Sequence, residues 1–286
     1  MSGELVILRH VSALRERVKE WRKSGQTVAL IPTMGALHEG HLTLVRQAKT
    51  GCDRTIATIF VNPKQFGPNE DFGRYPRDEA GDARLLAGVK TDVLFAPAVD
   101  EMYPGGFSTH VHVAGVSEGL CGAHRPGHFD GVATVVSKLL LQALPDAAFF
   151  GEKDYQQLCV IRRMVRDLDI PVRIVGVPTV READGLAMSS RNRYLGPDQR
   201  VRASALSQVL RDMARQAEAG IDLRLVAAWG KEELERARFD RVEYVEIRDA
   251  ESLAPVPGPV CALRILAAVW LGNTRLIDNV PVAAPA

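Results

Sequence analysis

Apolar and polar positions along the chain follow two spacings, one typical of helices and one typical of buried strands. Between Val11 and Lys23 the apolar residues recur at intervals of three and four, which predicts an amphipathic helix. The next segment, "TVALIP", is a continuous apolar run of strand length, and "HLTLVRQAKT" beyond it has helical spacing again. This part of the chain therefore predicts a helix followed by a strand, a loop and a second helix.

The same alternation continues to about residue 179. The further predicted strands are "RTIATIFVNP", "TDVLFAP", "DAAFFGEKD" and "PVRIVGVPT". The predicted helices between them are "DEAGDARLLAGVK", "GVATVVSKLLLQAL" and "YQQLCVIRRMVRDLD". Repeated strand and helix alternation favours a parallel sheet covered on both faces, so we predict an α/β fold with a doubly wound, Rossmann-like sheet.

After about residue 180 the pattern changes. Two helical patterns, "PDQRVRASALSQVLRDMARQAEAG" and "LRLVAAWGKEELERAR", precede the strand-like "VEYVEIRDA" and "ALRILAAVWLG". The proline-rich "LAPVPGPV" is predicted to be a loop between these last two strands. We therefore predict two domains, residues 1–179 forming the Rossmann-like domain and residues 180–286 a smaller α+β domain that could serve as a lid.

Composition excludes some classes of partner. In the 286 residues, 36 Lys and Arg balance 35 Asp and Glu, so no net basic field attracts nucleic acid or an anionic membrane surface. The four cysteines are dispersed without a C-x-x-C pair, which gives no zinc-site pattern. The N-terminal segment is charged throughout and lacks the apolar block of a signal peptide, so we expect a cytoplasmic protein without nucleic-acid or membrane partners.

The segment "TMGALHEGH" places His38 and His41 between a predicted strand and a predicted helix. Their spacing is one residue too short for H-E-x-x-H, and the segment is neither a Walker loop nor a G-x-G-x-x-G fingerprint. One reading is structural, with one histidine capping the helix and the other at the surface. The other reading is a phosphate site, because helix N-terminal N–H groups attract anions and the neighbouring Gly35 and Gly40 allow close approach.

Other polar clusters follow later strands or lie in loops. They are "FVNPKQFG" with Asn62 and Gln65, "FFGEKDYQQL" with Gly151, Lys153, Asp154 and Gln157, "AMSSRNRYL" with Ser189, Ser190 and Arg191, and "HRPGHFDGV" with Arg125 and His128. Each cluster alone could be an ordinary turn. Because ligands of doubly wound sheets bind beyond the carboxyl ends of the strands, several such clusters together predict a nucleotide-dependent enzyme.

These motifs, together with "YPRD" and "LGNTRLIDN", resemble those of the pantothenate synthetase family, the pantoate–β-alanine ligases. They occur in the family's order over nearly the whole chain. The resemblance implies that pantoate attacks the α-phosphate of ATP and releases pyrophosphate. β-Alanine then displaces AMP from pantoyl adenylate, which gives pantothenate. It also implies a homodimer.

The resemblance assigns roles to residues of this sequence. His38, His41, Lys153 and Arg191 are expected to be catalytic, with His41 as the proton donor. The expected ATP-binding residues are Met34, Gly35, Ala36, Leu37, His38, Glu39, Gly40, His41, Gly151, Glu152, Lys153, Asp154, Val180, Met188, Ser189, Ser190 and Arg191. Pantoate and β-alanine are expected at Asn62, Gln65 and Gln157. Mg²⁺ is expected to be held mainly by the ATP phosphates.

Two other functions stay open from the residues alone. A nucleotidyltransferase could use the same histidine element to join AMP to a phosphorylated small molecule without an amine acceptor. A nucleotide sensor or scaffold would bind ATP without releasing pyrophosphate. A tRNA synthetase is disfavoured by the near-neutral charge, and a zinc hydrolase is disfavoured by the histidine spacing.

Overall fold

The computed structural model describes residues 4–68, 70–256 and 262–283. Within them the strands are β1 (Val6–Leu8), β2 (Val28–Ile31), β3 (Arg54–Thr58), β4 (Val93–Phe95), β5 (Ala147–Gly151), β6 (Arg173–Val177), β7 (Arg241–Asp249), β8 (Leu263–Leu271) and β9 (Thr274–Val282). The helices are α1 (Val11–Lys23), α2 (Glu39–Lys49), α3 (Glu79–Gly88), α4 (Val99–Met102), α5 (Leu120–His124), α6 (His128–Ala143), α7 (Tyr155–Asp167), α8 (Pro197–Ala203), α9 (Ala205–Glu218) and α10 (Leu223–Arg236).

The first six strands form one parallel sheet in the order β1-β4-β3-β2-β5-β6. All four residues of β2 are buried, as expected for a central strand covered on both faces. Leu44 and Val45 of α2 and Leu86 of α3 share a core with buried side chains of β2, β3 and β4. The predicted α/β class with a doubly wound parallel sheet is confirmed.

The strand order places a topological switch point between β2 and β5. From β2 the chain proceeds through β3 and β4 to one side of the sheet, whereas β5 and β6 lie on the other side. At such a point the connections leave in opposite directions and open a crevice beyond the carboxyl ends of the strands. The segments after β2 and β5 carry "TMGALHEGH" and "GEKD", so the fold places these two motifs where a doubly wound sheet binds its ligand.

The other three strands form an antiparallel sheet in the order β7-β8-β9. Buried residues of α9 and α10, among them Leu210, Met213 and Val226, pack with inward residues of this sheet such as Ile265 and Val269. The sheet and its helices make a separate hydrophobic core, which is the smaller α+β arrangement that the sequence predicts.

Three details differ from the sequence patterns. β1 and β9 were not predicted, because β1 is only three residues long and β9 interrupts its apolar alternation with buried polar residues. β3 ends at Thr58, where the amides of Ile59 and Phe60 donate instead to the carbonyls of Phe95 and Thr33. The long helical pattern after residue 196 is divided into α8 and α9 at Ser204.

The chain forms two compact units. The first contains the residues up to Val113, Arg125–Glu152 and Val160–Pro178. The second contains Ala114–His124, Lys153–Cys159 and the residues from Thr179 onward. The binding roles assigned to the domains 1–179 and 180–286 stay a prediction.

Two further observations bear on the sequence predictions. Of the proline-rich segment, Leu253–Val256 is not in a strand or helix, and residues 257–260 lie outside the described residues. In the part of the chain that is described, no helix is both long enough and apolar enough to cross a bilayer.

Candidate active site

His38 and His41 cap the N-terminus of α2 with their side chains. His38 is the N-cap residue in an extended conformation, and its Nδ1 accepts a hydrogen bond from the amide of Gly40 at 3.1 Å. In return, Nδ1 of His41 accepts from the amide of His38 at 3.3 Å. The two rings are in contact, with centroids 4.1 Å apart and planes tilted by 43°. This is a reciprocal capping box made from two imidazoles, so both histidines cap the helix, rather than one capping it and the other lying at the surface.

The caps also determine which nitrogen of each ring carries the proton. A backbone N–H can only donate, so Nδ1 of His38 and Nδ1 of His41 must both be acceptors. In a neutral imidazole the proton then lies on Nε2. Each ring therefore presents an Nε2–H donor, and protonation of either Nδ1 would break a cap.

The loop before α2 is held by a buried carboxylate on α3. Gly35 and Ala36 both have left-handed backbone conformations, with φ of 83° and 50°. The amides of Ala36 and Leu37 donate to the two oxygens of Asp82, each at 2.8 Å. A Cβ on Gly35 would lie only 3.0 Å from Asp82 Oδ2, so glycine is required there.

These contacts bear on the phosphate interpretation. Several amides between Gly35 and Gly40 have acceptors inside the protein: Thr33 for Gly35, Asp82 for Ala36 and Leu37, His41 for His38 and His38 for Gly40. A phosphate at the N-terminal amides of α2 stays a prediction.

We predict that Asp82→Asn lowers kcat/KM for ATP by about tenfold, because one buried loop amide loses its acceptor and faces an NH₂ group. The measurement is steady-state kinetics together with thermal unfolding. Asp78→Asn is the matched control, since Asp78 caps the same helix by accepting from Gly81 but does not contact the loop. Equal kcat/KM for ATP in the two variants would contradict a role of Asp82 in shaping the loop.

Asn62 and Gln65 lie on a short 3₁₀ turn after β3 and are both buried. The amide nitrogen of Asn62 donates to Gln65 Oε1 at 3.0 Å and to the carbonyl of Gly131 at 3.1 Å. Its oxygen accepts from the amide of Lys64 at 3.2 Å and from the hydroxyl of Tyr103 at 2.8 Å. All four hydrogen-bonding positions of Asn62 are thus used within the protein.

The side-chain amide of Gln65 is oriented, but its nitrogen is held by a weak hydrogen bond. Its Nε2 donates to Met34 Sδ at 3.1 Å, and a thioether is a weak acceptor that a ligand oxygen could replace. The structure therefore brings three of the predicted residues, Met34, Asn62 and Gln65, into direct contact. Burial raises the pKa of the Tyr103 phenol, which keeps it protonated as the donor to Asn62.

The carbonyl of Gln65 is held by the "RPGH" loop. His128 Nδ1 donates to it at 2.8 Å, because His128 Nε2 accepts from Arg125 at 2.9 Å. Arg125 in turn makes two hydrogen bonds to Glu70, at 2.7 and 2.5 Å. Burial would raise the pKa of Glu70, but the bonds and charge of Arg125 outweigh it and lower that pKa. Arg125 is therefore paired within this network.

The second unit carries the predicted residues from Lys153 to Gln157 and from Val180 to Arg191. Lys153 lies in a 3₁₀ turn, Glu152–Asp154, with its Nζ 4.0 Å from Asp154, and Gln157 is half-buried in the first turns of α7. Residues 180–188 form a tight hairpin in which the amide of Met188 donates to the carbonyl of Val180 at 3.0 Å. Ser189 then caps a 3₁₀ turn, Ser190–Tyr194, by accepting from the amide of Arg191 at 3.3 Å.

At the end of β5, no contact inside the protein requires residue 151 to be glycine. A Cβ built there would meet no heavy atom within 4 Å, and its φ is not left-handed. Glycine at this position leaves space against the backbone at the switch point. That is the feature expected where a ligand approaches the chain closely.

No metal centre is formed by the described residues, since no group of three or more His, Cys, Asp or Glu side chains among them could hold an ion. His38 and His41 direct Nδ1 to backbone amides rather than to a shared ion.

The sequence reasoning missed three residues that shape the site: Asp82, Tyr103 and Gly131. Asp82 looked like an ordinary charge in a helical pattern, and Tyr103 lies in a loop without a motif. Gly131 is the one for which a signal existed, because a glycine inside an apolar helix costs stability and often marks close packing.

The fold and the polar side chains at its switch point define an α/β enzyme. The profile of the Pantoate-beta-alanine ligase family matches residues 6–281. A pantothenate synthetase of Paramagnetospirillum magneticum is 60% identical over 282 residues, covering 99% of both chains. The chain therefore belongs to the pantoate–β-alanine ligase family and is a ligase.

Solved structures agree with this membership. The pantothenate synthetase of Thermus thermophilus is 47% identical with a TM-score of 0.92, covering 97% of this chain and 99% of that one. The pantoate–β-alanine ligase of Francisella tularensis, crystallised with β-γ ATP and β-alanine, is 33% identical with a TM-score of 0.81, covering 97% of both chains.

Proposed function

We propose that the enzyme condenses (R)-pantoate with β-alanine to give pantothenate through a pantoyl-adenylate intermediate, with ATP converted to AMP and pyrophosphate. The observation that carries the proposal is the pair of capping imidazoles, His38 and His41, at the start of α2, in the segment that follows β2 at the switch point. The ATP and β-alanine bound by the Francisella relative support the choice of substrates.

In the first step, a carboxylate oxygen of pantoate attacks the α-phosphorus of ATP. The bond from that phosphorus to the bridging oxygen breaks, and pyrophosphate leaves with the electron pair. Negative charge grows on the α-phosphate oxygens and on the leaving group, where hydrogen-bond donors lower the barrier. His38 and His41 supply two such donors, and neutral imidazoles held in one tautomer need no reorganisation to do so.

Residues that follow β5 and residues 180–191 are proposed to complete ATP binding. Lys153 and Arg191 would stabilise charge on the phosphates, with Ser189 and Ser190 as further donors. The backbone around Val180 and Met188 would contact the nucleotide, as would Glu152 and Asp154 of "GEKD". Gly151 leaves room for that approach from the end of β5.

Pantoate is proposed to bind the amides of Gln65 and Gln157. Gln65 can exchange its weak bond to Met34 Sδ for an oxygen of pantoate. A neutral amide orients the carboxylate without an ion pair that would have to be broken as it attacks. Asn62, whose polar atoms are already paired, would act by orienting Gln65 rather than as a direct ligand.

In the second step, the amine of β-alanine attacks the carbonyl carbon of pantoyl adenylate. The carbonyl–phosphate C–O bond breaks, AMP leaves, and the amine loses a proton. Mg²⁺ bound to the ATP phosphates would reduce their charge, and substrate phosphates are the ligands by which Mg²⁺ is commonly held in enzymes of this kind. A homodimer and a cytoplasmic location stay predictions.

The test is an omission assay with enzyme, ATP and Mg²⁺. Exchange of labelled pyrophosphate into ATP should require pantoate but not β-alanine, and AMP with pantothenate should accumulate only when both are present. A dinucleotide-like product formed from a phosphorylated substrate would indicate a nucleotidyltransferase. ATP binding without any pyrophosphate exchange in the presence of pantoate would contradict the proposal and favour a sensor.

A further inference from the structure

The motif "LIDN" on β9 is a part of the sequence resemblance to which the proposed chemistry assigns no role. Its Asp278 and Asn279 are only 2% and 3% exposed, although they lie within an antiparallel sheet among apolar neighbours. Burying a carboxylate and an amide costs free energy unless both are paired. Their partners therefore indicate why the sheet retains them.

Asn279 is bonded to the backbone of Lys153. Its Nδ2 donates to the carbonyl of Lys153 at 2.8 Å, across 126 positions of sequence. Its Oδ1 accepts from Arg264 Nε at 2.7 Å, and the Arg264 guanidinium lies 4.0 Å from the ring centroid of Tyr155. The short turn that carries Lys153 is thus held to the sheet by its backbone carbonyl and by the neighbouring Tyr155 ring. Neither contact involves the ammonium group of Lys153.

Asp278 is bonded to the hairpin that leads to Arg191. Arg181 donates to both carboxylate oxygens of Asp278, at 2.7 and 3.0 Å, and the same guanidinium donates to the carbonyl of Gly185 at 3.0 Å. Gly185 lies in the hairpin turn, where its amide bonds to the carbonyl of Glu182. Arg181 therefore closes the hairpin and anchors it to β9.

We propose that Asp278 and Asn279 are positioning residues for ATP, which hold the Lys153 turn and the hairpin before Ser189–Arg191 in one frame. The inference rests on the proposed function, in which Lys153 and Arg191 bind the phosphates. Two neighbours on one strand give both segments a common rigid support. A cation misplaced by about 1 Å loses much of its effect on a phosphate, so such support contributes to the rate.

The test uses isosteric variants. Asn279→Asp keeps the acceptor for Arg264 but replaces the donor to the Lys153 carbonyl with a carboxylate oxygen that repels it. Asp278→Asn removes the charge that pairs with Arg181 and places an amide NH₂ group against an N–H group of Arg181. For each we expect KM for ATP to rise, or kcat of pyrophosphate exchange to fall, by about tenfold, with KM for β-alanine within about twofold of wild type.

The matched control is Glu243→Gln. Glu243 is another buried carboxylate of this sheet, and its partners Arg275 and Trp270 lie outside the segments assigned to ATP. If the substitutions act only by loosening the sheet, Glu243→Gln should change KM for ATP and kcat of pyrophosphate exchange as much as Asp278→Asn does. We expect KM for ATP or kcat of pyrophosphate exchange to change only in the two β9 variants. Their thermal unfolding midpoints should be like that of the control.

Lys153→Ala separates failure of this inference from failure of the proposed function. If Lys153→Ala loses pyrophosphate exchange while folded Asn279→Asp and Asp278→Asn behave like wild type, the positioning role is wrong and the proposed function stands. If Lys153→Ala keeps wild-type exchange, the assignment of Lys153 to ATP is wrong, and the positioning role fails with it.

Discussion

Replacing His41 by alanine is expected to lower the rate of pantoate-dependent pyrophosphate exchange by about 10² or more, the scale for losing a positioned transition-state donor. The variant loses the Nε2–H donor and also the acceptor for the amide of His38, so His38 itself becomes less well oriented. The effect should fall mainly on kcat, because the charge on the α-phosphate that His41 stabilises develops in the transition state.

His10→Ala is the control for this prediction. His10 also precedes a helix, but its side chain makes no cap hydrogen bond and pairs instead with Glu101 at the surface. Loss of the His41 cap alone should cost only about 1 kcal/mol of stability, which thermal unfolding will show. Exchange by His41→Ala at a rate close to that of His10→Ala would remove His41 from the mechanism.

Gly131→Ala is expected to lower kcat/KM for pantoate by at least about tenfold. A Cβ on Gly131 would clash with the carbonyl oxygen of Lys64 and lie 2.7 Å from Cα of Gln65, and both are backbone atoms that cannot rotate away. The turn carrying Gln65 must then move off α6. Movement would also stretch the bond from Asn62 to the Gly131 carbonyl, which holds the turn in place.

The control for Gly131→Ala is Gly88→Ala in α3, where a Cβ would meet no heavy atom within 4 Å. That change should be neutral or slightly stabilising, because alanine is the better helix former. Overpacking at Gly131 should reduce the free energy of unfolding by about 1–3 kcal/mol. Kinetics measured at a temperature where the variant is fully folded separate the effect on kcat/KM for pantoate from the loss of stability. An unchanged kcat/KM for pantoate at that temperature would show that the Gln65 turn tolerates displacement.

The extent to which the site could be predicted depends on how local each contact is. The caps of His38 and His41 involve neighbours within three residues, and the strand, loop and helix pattern around "HEGH" already places both rings at a helix start. Asp82 contacts a loop 45 and 46 residues away in sequence, and nothing in the pattern of α3 distinguishes it from a surface carboxylate. Its role depends on the packing of α3 against the sheet.

The unpredicted strand β9 shows the same limit. The periodicity rule expects apolar residues at buried positions, but β9 buries Asp278 on the face with Leu276 and Val280 and buries Asn279 on the opposite face. They are tolerated because Arg181, Arg264 and the Lys153 carbonyl arrive from other parts of the chain. A rule based on neighbouring residues cannot anticipate partners that are distant in sequence.

The sequence by itself determined the alternation of strands and helices, and hence the parallel sheet, because burial of apolar residues at regular spacing is a local property of the chain. It also determined which polar segments follow the strands and the family that their motifs resemble. The tertiary structure decided the strand order and the switch point, and with them which two segments emerge side by side. It also decided that Asp82 accepts from the amides of Ala36 and Leu37 in the loop before α2, because a buried N–H group is paired by whichever acceptor the packing brings within reach.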